Sequence, residues 1–373
     1  MEFAFSDEQR MLRDTVRRFL DERVPMQRVR TTMETDAGFD LGLWEAIAAQ
    51  GWQAMAIPEE YGGAGFTVLE QAILMEEMGR SLLPVPFLSS IVLGADLVLR
   101  AGSEDQKRSI LPAVAAGELR LAVAHLEDSG RWDRAGIEMV AEPDGDGFLL
   151  SGTKTFVLDG HTADTLVVVV LLDGGTGLLL VDGTSPGVER RRVETMDMTR
   201  PQAEIRFDRV RVPQSAVLGD PSSGWEALAA TSTRAVVLLA FEQVGGAQRC
   251  LDMAVDYAKL RVQFGRPIGS FQAIKHLCAD MLVKVESARS AAHHAGGAAL
   301  EGGDELEVAA PLAKSYCSEA FLFCAAENIQ VHGGIGFTWE HDAHLYLKRA
   351  KTDELLFGTP SYHRGLLAHR MGI

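Results

Sequence analysis

The sequence predicts an α+β fold in three parts: an N-terminal α-helical domain over residues 1–118, a middle β domain over 119–222 and a C-terminal α-helical domain over 223–373. At both ends of the chain, apolar residues recur with a helical period. In the middle, short β-rich runs alternate with clusters of Gly, Asp and Pro. A length of 373 residues is enough for two or three packed units.

The N-terminal part begins with a capped helix. Ser6-Asp7-Glu8-Gln9 places a hydroxyl acceptor at the N-cap and a Gln three residues later, which is typical of a capping box. Tyr61-Gly62-Gly63-Ala64-Gly65 predicts a loop, and Val68–Met78 predicts the next helix. Pro84 and Pro86 then interrupt the pattern before a third helical stretch.

The middle part contains a predicted hairpin, in which Ile137–Ala141 and Phe148–Ser151 flank the turn residues 143–147. The further predicted strands are Thr165–Leu172, Leu178–Val181, Val188–Val193 and Ala203–Phe207. Long helical patterns follow, and the predicted helices are Glu226–Lys259, Phe271–Leu300, Glu305–His332, Glu340–Lys351 and Ser361–Met371.

Bulk properties exclude several classes of function. The net charge is −16 and the pI is about 5.1, so nucleic acid is not expected as a partner, because phosphate binding needs a basic face. The four cysteines form no CxxC pair, and no histidine pair has a metal spacing, so no metal site is predicted.

Membrane and export signals are also not expected. Residues 1–8 have neither a basic start nor an apolar core, so no signal peptide is predicted. The longest apolar stretch, Leu82–Leu99, holds two prolines and Asp96, and does not indicate a membrane span. A cytoplasmic location is therefore expected.

Two segments of the C-terminal part carry the functional signal. The first runs from Arg261 through Phe264 and Gly265 to Gln272, and the second, about 65 residues later, runs from Gln330 through Gly333-Gly334 to Glu340. A guanidinium after a helix end can hold a pyrophosphate by a forked contact, although an exposed Arg stabilised by the helix dipole would have the same pattern. The glycines permit close approach of the backbone to a ligand, and they also fit a helix C-cap.

In this order and spacing, the two segments resemble the C-terminal signatures of the acyl-CoA dehydrogenase family. The resemblance implies FAD, an α–β–α architecture with a C-terminal four-helix bundle, and a cofactor cleft between the β and C-terminal domains. It also assigns cofactor contacts: Arg261 to the pyrophosphate, Phe264 to the adenine end, Gln272 to the same half, and Gln330, Gly333, Gly334 and Thr359 to FAD contacts of the C-terminal domain. Because the glycine loop of family members reaches the FAD of a neighbouring subunit, a dimer or a dimer of dimers is implied.

The resemblance also implies the reaction, which is α,β-desaturation of an acyl-CoA thioester to the trans-2-enoyl thioester with electrons passed to an electron-transfer flavoprotein. The chemistry needs a carboxylate base in a dry pocket. The commonest family position for it, 23 residues after the second Gly, is Phe357 here, and a second position is Ala235. Neither residue can accept a proton.

Glu242 is the predicted base instead. It follows an apolar run, lies seven residues or two helical turns from Ala235, and has no cationic neighbour at i±3 or i±4. Gly245 and Gly246 beside it would leave space for a ligand. Family members of bacterial steroid degradation are similar in carrying a Glu further along this helix. The alternatives are a Glu salt-bridged to another helix, a Glu that faces solvent on a partly exposed turn, or a chain that lacks a base of its own.

The β domain departs from the family pattern where the flavin ring would lie. Phe156 supplies an aromatic wall, but Leu158 stands where a hydroxyl is usual, and His125-Leu126-Glu127-Asp128 replaces the usual T-E-P segment. Flavin contact is therefore expected to be looser. Two other functions stay open: a non-catalytic partner subunit in a heterotetramer rather than a homotetramer, and a flavin oxidase or monooxygenase on the same fold.

Overall fold

A computed structural model gives the structure of residues 6–373, apart from the side chain of Ser222. The helices in chain order are α1 (Asp7–Arg23), α2 (Met26–Met33), α3 (Leu41–Ala48), α4 (Val68–Ser81), α5 (Asp96–Ala101), α6 (Glu104–Ala115), α7 (Gly224–Leu260), α8 (Gln272–Glu301), α9 (Asp304–His332), α10 (Ala343–Leu355) and α11 (Pro360–Arg370). The strands are β1 (Leu121–Ala124), β2 (Ala141–Asp144), β3 (Gly147–Leu158), β4 (Thr165–Leu172), β5 (Gly175–Asp182), β6 (Val188–Val193), β7 (Gln202–Pro213), β8 (Val262–Gln263) and β9 (Arg266–Pro267).

The chain forms two compact units. Of the described residues, the first unit comprises 6–31, 67–83 and 236–373, and the second comprises 32–66 and 84–235. The first is helical, with α9 packed against α8, α10 and α11, and with α1 packed against α4. The second holds both larger sheets and the helices α3, α5 and α6.

Capping explains where the first unit's early helices begin. The Ser6 hydroxyl accepts from the N–H of Gln9 at 3.2 Å, and the Gln9 side chain accepts from the N–H of Ser6 at 3.0 Å, so the predicted capping box of α1 is confirmed. Thr67 and Glu70 form a second capping box at the start of α4. Each box satisfies two donors that the first helical turn leaves without a partner.

The second unit contains a three-stranded sheet in the order β1-β4-β5 and a four-stranded sheet in the order β2-β3-β7-β6. Strand β4 reads Thr-Leu-Val-Val-Val-Val-Leu-Leu and is buried along almost its whole length, as a central strand requires. Apolar side chains of both sheets form one buried cluster, which includes Leu150, Val168, Leu179 and Ile205.

Most predicted elements are confirmed, with differences at their ends. The predicted strands Thr165–Leu172 and Val188–Val193 coincide with β4 and β6. The hairpin forms, but its first strand begins at Ala141 rather than Ile137, and its second continues to Leu158. The third helical stretch includes a π-helix over Leu88–Ala95, and the short strand β1 was not predicted.

Helix α7 is the one candidate for a membrane-spanning helix within residues 6–373, judged by length and apolar composition. Its most apolar stretch is 67% buried inside the fold, which is also typical of a core helix. Residues 1–5 of the opening used for the signal-peptide prediction lie outside the described residues. The cytoplasmic location therefore stays a prediction.

Helices α4 and α7 cross in backbone contact within the first unit. A Cβ atom built on Gly79 would overlap the carbonyl oxygen of Glu242, and one built on Gly245 would overlap the carbonyl oxygen of Glu76. Because each glycine faces backbone of the other helix, neither helix has a side chain that could move aside. The two glycines therefore set the separation of α4 and α7.

The substitution Gly245→Ala tests this crossing. It forces α4 and α7 apart and should destabilise the fold by about 3 kcal/mol, at the upper end of overpacking costs. The control is Gly365→Ala in α11, where a built Cβ meets nothing within 4 Å and a gain of about 0.5–1 kcal/mol is expected. Thermal unfolding of the two variants should shift in opposite directions, and an unchanged midpoint for Gly245→Ala would contradict the crossing.

Candidate active site

The predicted pyrophosphate-binding segment forms a tight hairpin at the end of α7. Strands β8 and β9 pair across Phe264 and Gly265, which both have a positive φ of +52° and +79°. Such angles are those of a two-residue hairpin turn. The Arg261 side chain is exposed and forms no hydrogen bond or ion pair within residues 6–373. Its five donors are therefore available to a ligand.

Aromatic residues accompany Arg261 on this hairpin. The Phe264 ring is 93% exposed, and its one aromatic neighbour among the described residues is Phe271, edge-on at 6.1 Å between ring centroids. The Arg266 guanidinium lies 4.1 Å from the centroid of the Phe271 ring. Gln272 follows as the first residue of α8 and is exposed. The sequence-predicted residues Arg261, Phe264 and Gln272 are thus all open to solvent on one hairpin and the helix that follows it.

The predicted glycine loop follows α9 and is also open. Gly333 has a φ of +64° and donates its N–H to the carbonyls of Gln330 and Ile329, so it closes the helix as a C-cap. A Cβ atom built on Gly333 or Gly334 meets nothing within 4 Å. Both interpretations of these glycines hold together: they end α9, and they leave the backbone accessible. Gln330 is exposed beside them.

Phe357 occupies the family's usual base position and is buried. It has a φ of +59°, and its carbonyl oxygen lies 2.9 Å from Nε2 of His363. Burial and the nearby Lys314 lower the pKa of His363 to about 4, so the ring is neutral and can donate from Nε2. Thr359 caps α11 by accepting from the N–H of Tyr362 at 3.3 Å. The exposed Thr359 hydroxyl keeps its own proton to donate.

Lys314 holds the helix end that leads into this turn. Its ammonium group is buried in α9 and donates to the carbonyl oxygens of Asp353 at 2.7 Å and Glu354 at 3.1 Å, and to the Ser318 hydroxyl at 3.0 Å. Burial lowers the pKa of Lys314 to about 8. The carbonyls at a helix C-terminus attract a cation. This contact fixes the end of α10 before Phe357, and it was not predicted, because Lys314 is about 40 residues away from that helix end in the chain.

Glu242 is buried in an ion pair. Its Oε1 atom lies 2.9 Å from Nη1 of Arg349 in α10, and the side chains of the two residues are 3% and 2% exposed. The prediction that no cation lies at i±3 or i±4 is correct, but the cation comes from a helix more than 100 residues later in the chain. The alternative of a salt bridge to another helix is therefore observed, while the role of Glu242 as base stays a prediction.

The expectation that Gly245 and Gly246 leave space for a ligand is wrong. The backbone of Glu76 fills the position beside Gly245, and the ring of Phe321 packs against Gly246. Both glycines serve close packing of helices, which local sequence cannot distinguish from an open pocket.

In the second unit, the end of β3 presents the predicted flavin wall. Phe156 has a φ of +50° at a bulge between Lys154 and Val157, and its ring is 51% exposed. Leu158 is buried and pairs with Gln202 of β7. Phe156 is thus an exposed aromatic side chain whose contact with a flavin stays a prediction, and Leu158 contributes packing and no side-chain hydrogen bond.

A buried ion pair supports this wall. Nζ of Lys154 lies 2.6 Å from Oε1 of Glu127 and 3.2 Å from the carbonyl oxygen of His125. The rings of Trp132 and Trp225 lie edge-on to His125, at 5.8 and 6.4 Å between centroids. Burial lowers the pKa of His125 to about 4. The segment that departs from the family pattern is thus rigidly held, with a neutral imidazole between two indoles.

No group of three or more His, Cys, Asp or Glu side chains is placed to hold a metal ion within residues 6–373. The four cysteines are free thiols, three of them buried.

Comparison with known proteins identifies the family. Models of the acyl-CoA dehydrogenase N-terminal, middle and C-terminal domains match residues 6–118, 122–210 and 222–372. Acyl-CoA dehydrogenase IpdE2 of Mycolicibacterium smegmatis is 36% identical over 357 residues, which cover 95% of this chain and 96% of that protein. The chain belongs to the acyl-CoA dehydrogenase family, and its fold is the three-domain fold of that family.

Solved structures of other proteins have the same fold. A chain in the structure of the electron transferring flavoprotein of Acidaminococcus fermentans has a TM-score of 0.92 and 29% identity, and covers 100% of this chain and 99% of its own length. A chain of the ChsE4-ChsE5 complex from Mycobacterium tuberculosis has a TM-score of 0.91 and 28% identity, with 100% and 99% covered. The predicted boundaries after residues 118 and 222 stay predictions.

The ion pair of Glu242 can be tested by stability alone. Arg349→Leu leaves a buried carboxylate without its cation and should destabilise the fold by about 3–5 kcal/mol, whereas Glu242→Leu combined with Arg349→Leu should recover most of that loss. The control is Arg364→Leu, which removes an exposed pair with Glu319 and should cost at most about 1 kcal/mol. Equal denaturation midpoints for Arg349→Leu and the control would contradict the assignment.

Proposed function

We propose that this chain acts in FAD-dependent α,β-desaturation of an acyl-CoA thioester to the trans-2-enoyl thioester. The observation that carries the proposal is the pair of open segments in the first unit. The Arg261 guanidinium has no partner within residues 6–373, and a Cβ atom built on Gly333 or Gly334 meets no described atom within 4 Å. A chain gains nothing internally from an exposed Phe264 or an unpaired Arg261, so a ligand or a neighbouring subunit accounts for both.

These residues fit an FAD molecule. Arg261 would hold the pyrophosphate through its guanidinium fork, Phe264 would pack on the adenine end, and Gln272, Gln330 and Thr359 would add hydrogen bonds. The backbone at Gly333 and Gly334 permits close approach. In the second unit, Phe156 presents an exposed ring of the kind that stacks on a flavin. When bound, FAD supplies the acceptor for the hydride lost from the β-carbon of the substrate.

Glu242 is the carboxylate that we propose as the base for the α-proton. Arg349 makes an ionised carboxylate possible in this dry interior, and a base must be ionised before it can accept a proton. The same guanidinium also occupies Oε1 of Glu242, which it contacts at 2.9 Å. Catalysis by Glu242 would therefore need the contact with Arg349 to weaken when substrate is bound.

The ion pair specifically favours a second candidate function, in which this chain is a partner subunit and a related chain supplies the base. The two usual base positions of the family hold Phe357 and Ala235, and Glu242 is already paired with Arg349. The similarity to a chain of the ChsE4-ChsE5 complex supports a heteromer as one form of assembly. An electron-transfer flavoprotein is the proposed electron acceptor in both cases.

Replacing Arg261 tests the cofactor site. Arg261→Ala removes a forked, charge-assisted contact and should weaken FAD binding by about 1.5–3 kcal/mol. The control is Lys259→Ala, which removes one positive charge from the last turn of α7, where that exposed side chain lies 4.0 Å from Asp256. FAD titration of the apoproteins gives the measurement, and equal affinities for the two variants would exclude Arg261 from the site.

Replacing Glu242 separates the two functions. Glu242→Gln keeps the shape and should lower turnover of an acyl-CoA substrate by about 10²-fold or more if Glu242 is the base. The control is Glu77→Gln, since Glu77 is a buried glutamate paired with Arg17 at 2.6 Å in the same unit, and it should lose stability without that loss of turnover. Full turnover by the Glu242→Gln protein, assembled with a partner chain, would establish the partner-subunit function.

A further inference from the structure

Arg30 of α2 binds the segment that follows the glycine loop. Its Nε donates to Oδ1 of Asp342 at 2.7 Å, and its Nη2 donates to the carbonyl oxygen of His341 at 2.9 Å. The Arg30 side chain is only 13% exposed, so the contact is largely shielded from solvent and salt. The two donors belong to one planar group, and they fix both the position and the direction of residues 341–342.

The two ends of the glycine loop are also joined to each other. His332, the last residue of α9, stacks on Tyr257 at 4.3 Å between ring centroids, and the His341 ring lies 4.4 Å from the His332 ring. His332 is oriented by a contact of 2.8 Å between its Nδ1 and the carbonyl oxygen of Asn328. The residues before and after the loop therefore meet, and Arg30 anchors the second of them.

The first part of the loop between these ends, residues 333–337, has little packing of its own. Gly333 and Gly334 face open space, and Ile335 and Phe337 are exposed. Gly336 is buried, and it packs on the side chain of His332, the residue directly before the loop. Trp339, near the second end, stacks on His344 at 5.1 Å between ring centroids and lies 6.0 Å from the Arg30 guanidinium. Residues 333–337 therefore depend on the anchored ends for their position.

We propose that Arg30 is a positioning residue for the glycine loop, and that it thereby sets the cofactor contact of Gln330, Gly333 and Gly334. The second half of this inference rests on the proposed function, because it requires FAD at the loop. Arg30 lies about 300 residues before the loop in sequence and does not touch the cofactor-binding positions themselves. Its effect acts through Asp342 and His341.

The test compares Arg30→Lys with Arg120→Lys in the full-length chain. Lysine keeps the charge but has no fork, so it cannot hold Asp342 and the His341 carbonyl in the same geometry. Arg120 is a matched control, because it forms a similar fork to Asp164, at 3.0 and 2.9 Å, in the second unit. Amide hydrogen exchange reports on residues 333–344, and FAD titration reports on the cofactor site.

Arg30→Lys should accelerate exchange in residues 333–344 about tenfold and weaken FAD binding about tenfold, which is the loss expected for one charge-assisted hydrogen bond. Arg120→Lys should change neither. Asp342→Asn, which removes the carboxylate and leaves Arg30 in place, should reproduce the effect if Arg30→Lys folds poorly.

Wild-type exchange rates in both Arg30→Lys and Asp342→Asn would overturn the inference. Faster exchange with unchanged FAD affinity would overturn its link to the cofactor. If the wild-type chain binds no FAD, alone or with a partner chain, the proposed function fails, while the exchange rates still decide whether Arg30 positions the loop.

Discussion

The first unit depends on the backbone contact between α4 and α7 at Gly79 and Gly245. At that separation, the side chains that flank the glycines cannot lie between the helices, and they are directed to either side of the crossing. Glu242 is thereby placed against Arg349, and Glu76 is paired with Arg289 of α8. A wider crossing would admit water to both pairs and remove the geometry that makes buried charges tolerable.

Buried charges recur where a segment near the candidate site must be held. Lys154 joins β3 to Glu127 and to the carbonyl of His125, and Lys314 joins α9 to the end of α10. His125 directly follows β1, and the carbonyl oxygens of Asp353 and Glu354 lie in the last turn of α10, where a helix has no internal donors left for them. These lysines therefore hold the end of a strand and the end of a helix, at the points where the regular hydrogen bonds of those elements stop.

Local sequence patterns predicted those elements that depend on residues close together in the chain. Strands β4 and β6 and the capped start of α1 follow from residues within a few positions of each other, and so does the tight turn at Phe264-Gly265. The strand β1 was missed because Leu-Ala-Val-Ala is too short to show a period. The partner of Glu242 was missed because an i±4 survey sees one helix only, and Arg349 reaches it from another. The close packing beside Gly245 and Gly246 was missed for the same reason, because Glu76 and Phe321, which fill that space, are remote in sequence.

Three phenylalanines of the candidate site, Phe156, Phe264 and Phe357, have left-handed backbone angles. A glycine would relieve that strain, which is of the order of 1–2 kcal/mol per residue. Phe357 recovers the cost by burying its ring, but Phe264 is almost wholly exposed and has only an edge-on contact with Phe271 among the described aromatic residues. Under the proposed function, the compensation for its strain comes from the FAD on which the ring would pack. In a related protein that no longer used the exposed Phe264 ring for binding, replacement of residue 264 by Gly or Asn would increase stability and would be retained. The identity of residue 264 therefore indicates whether that binding contact is still in use.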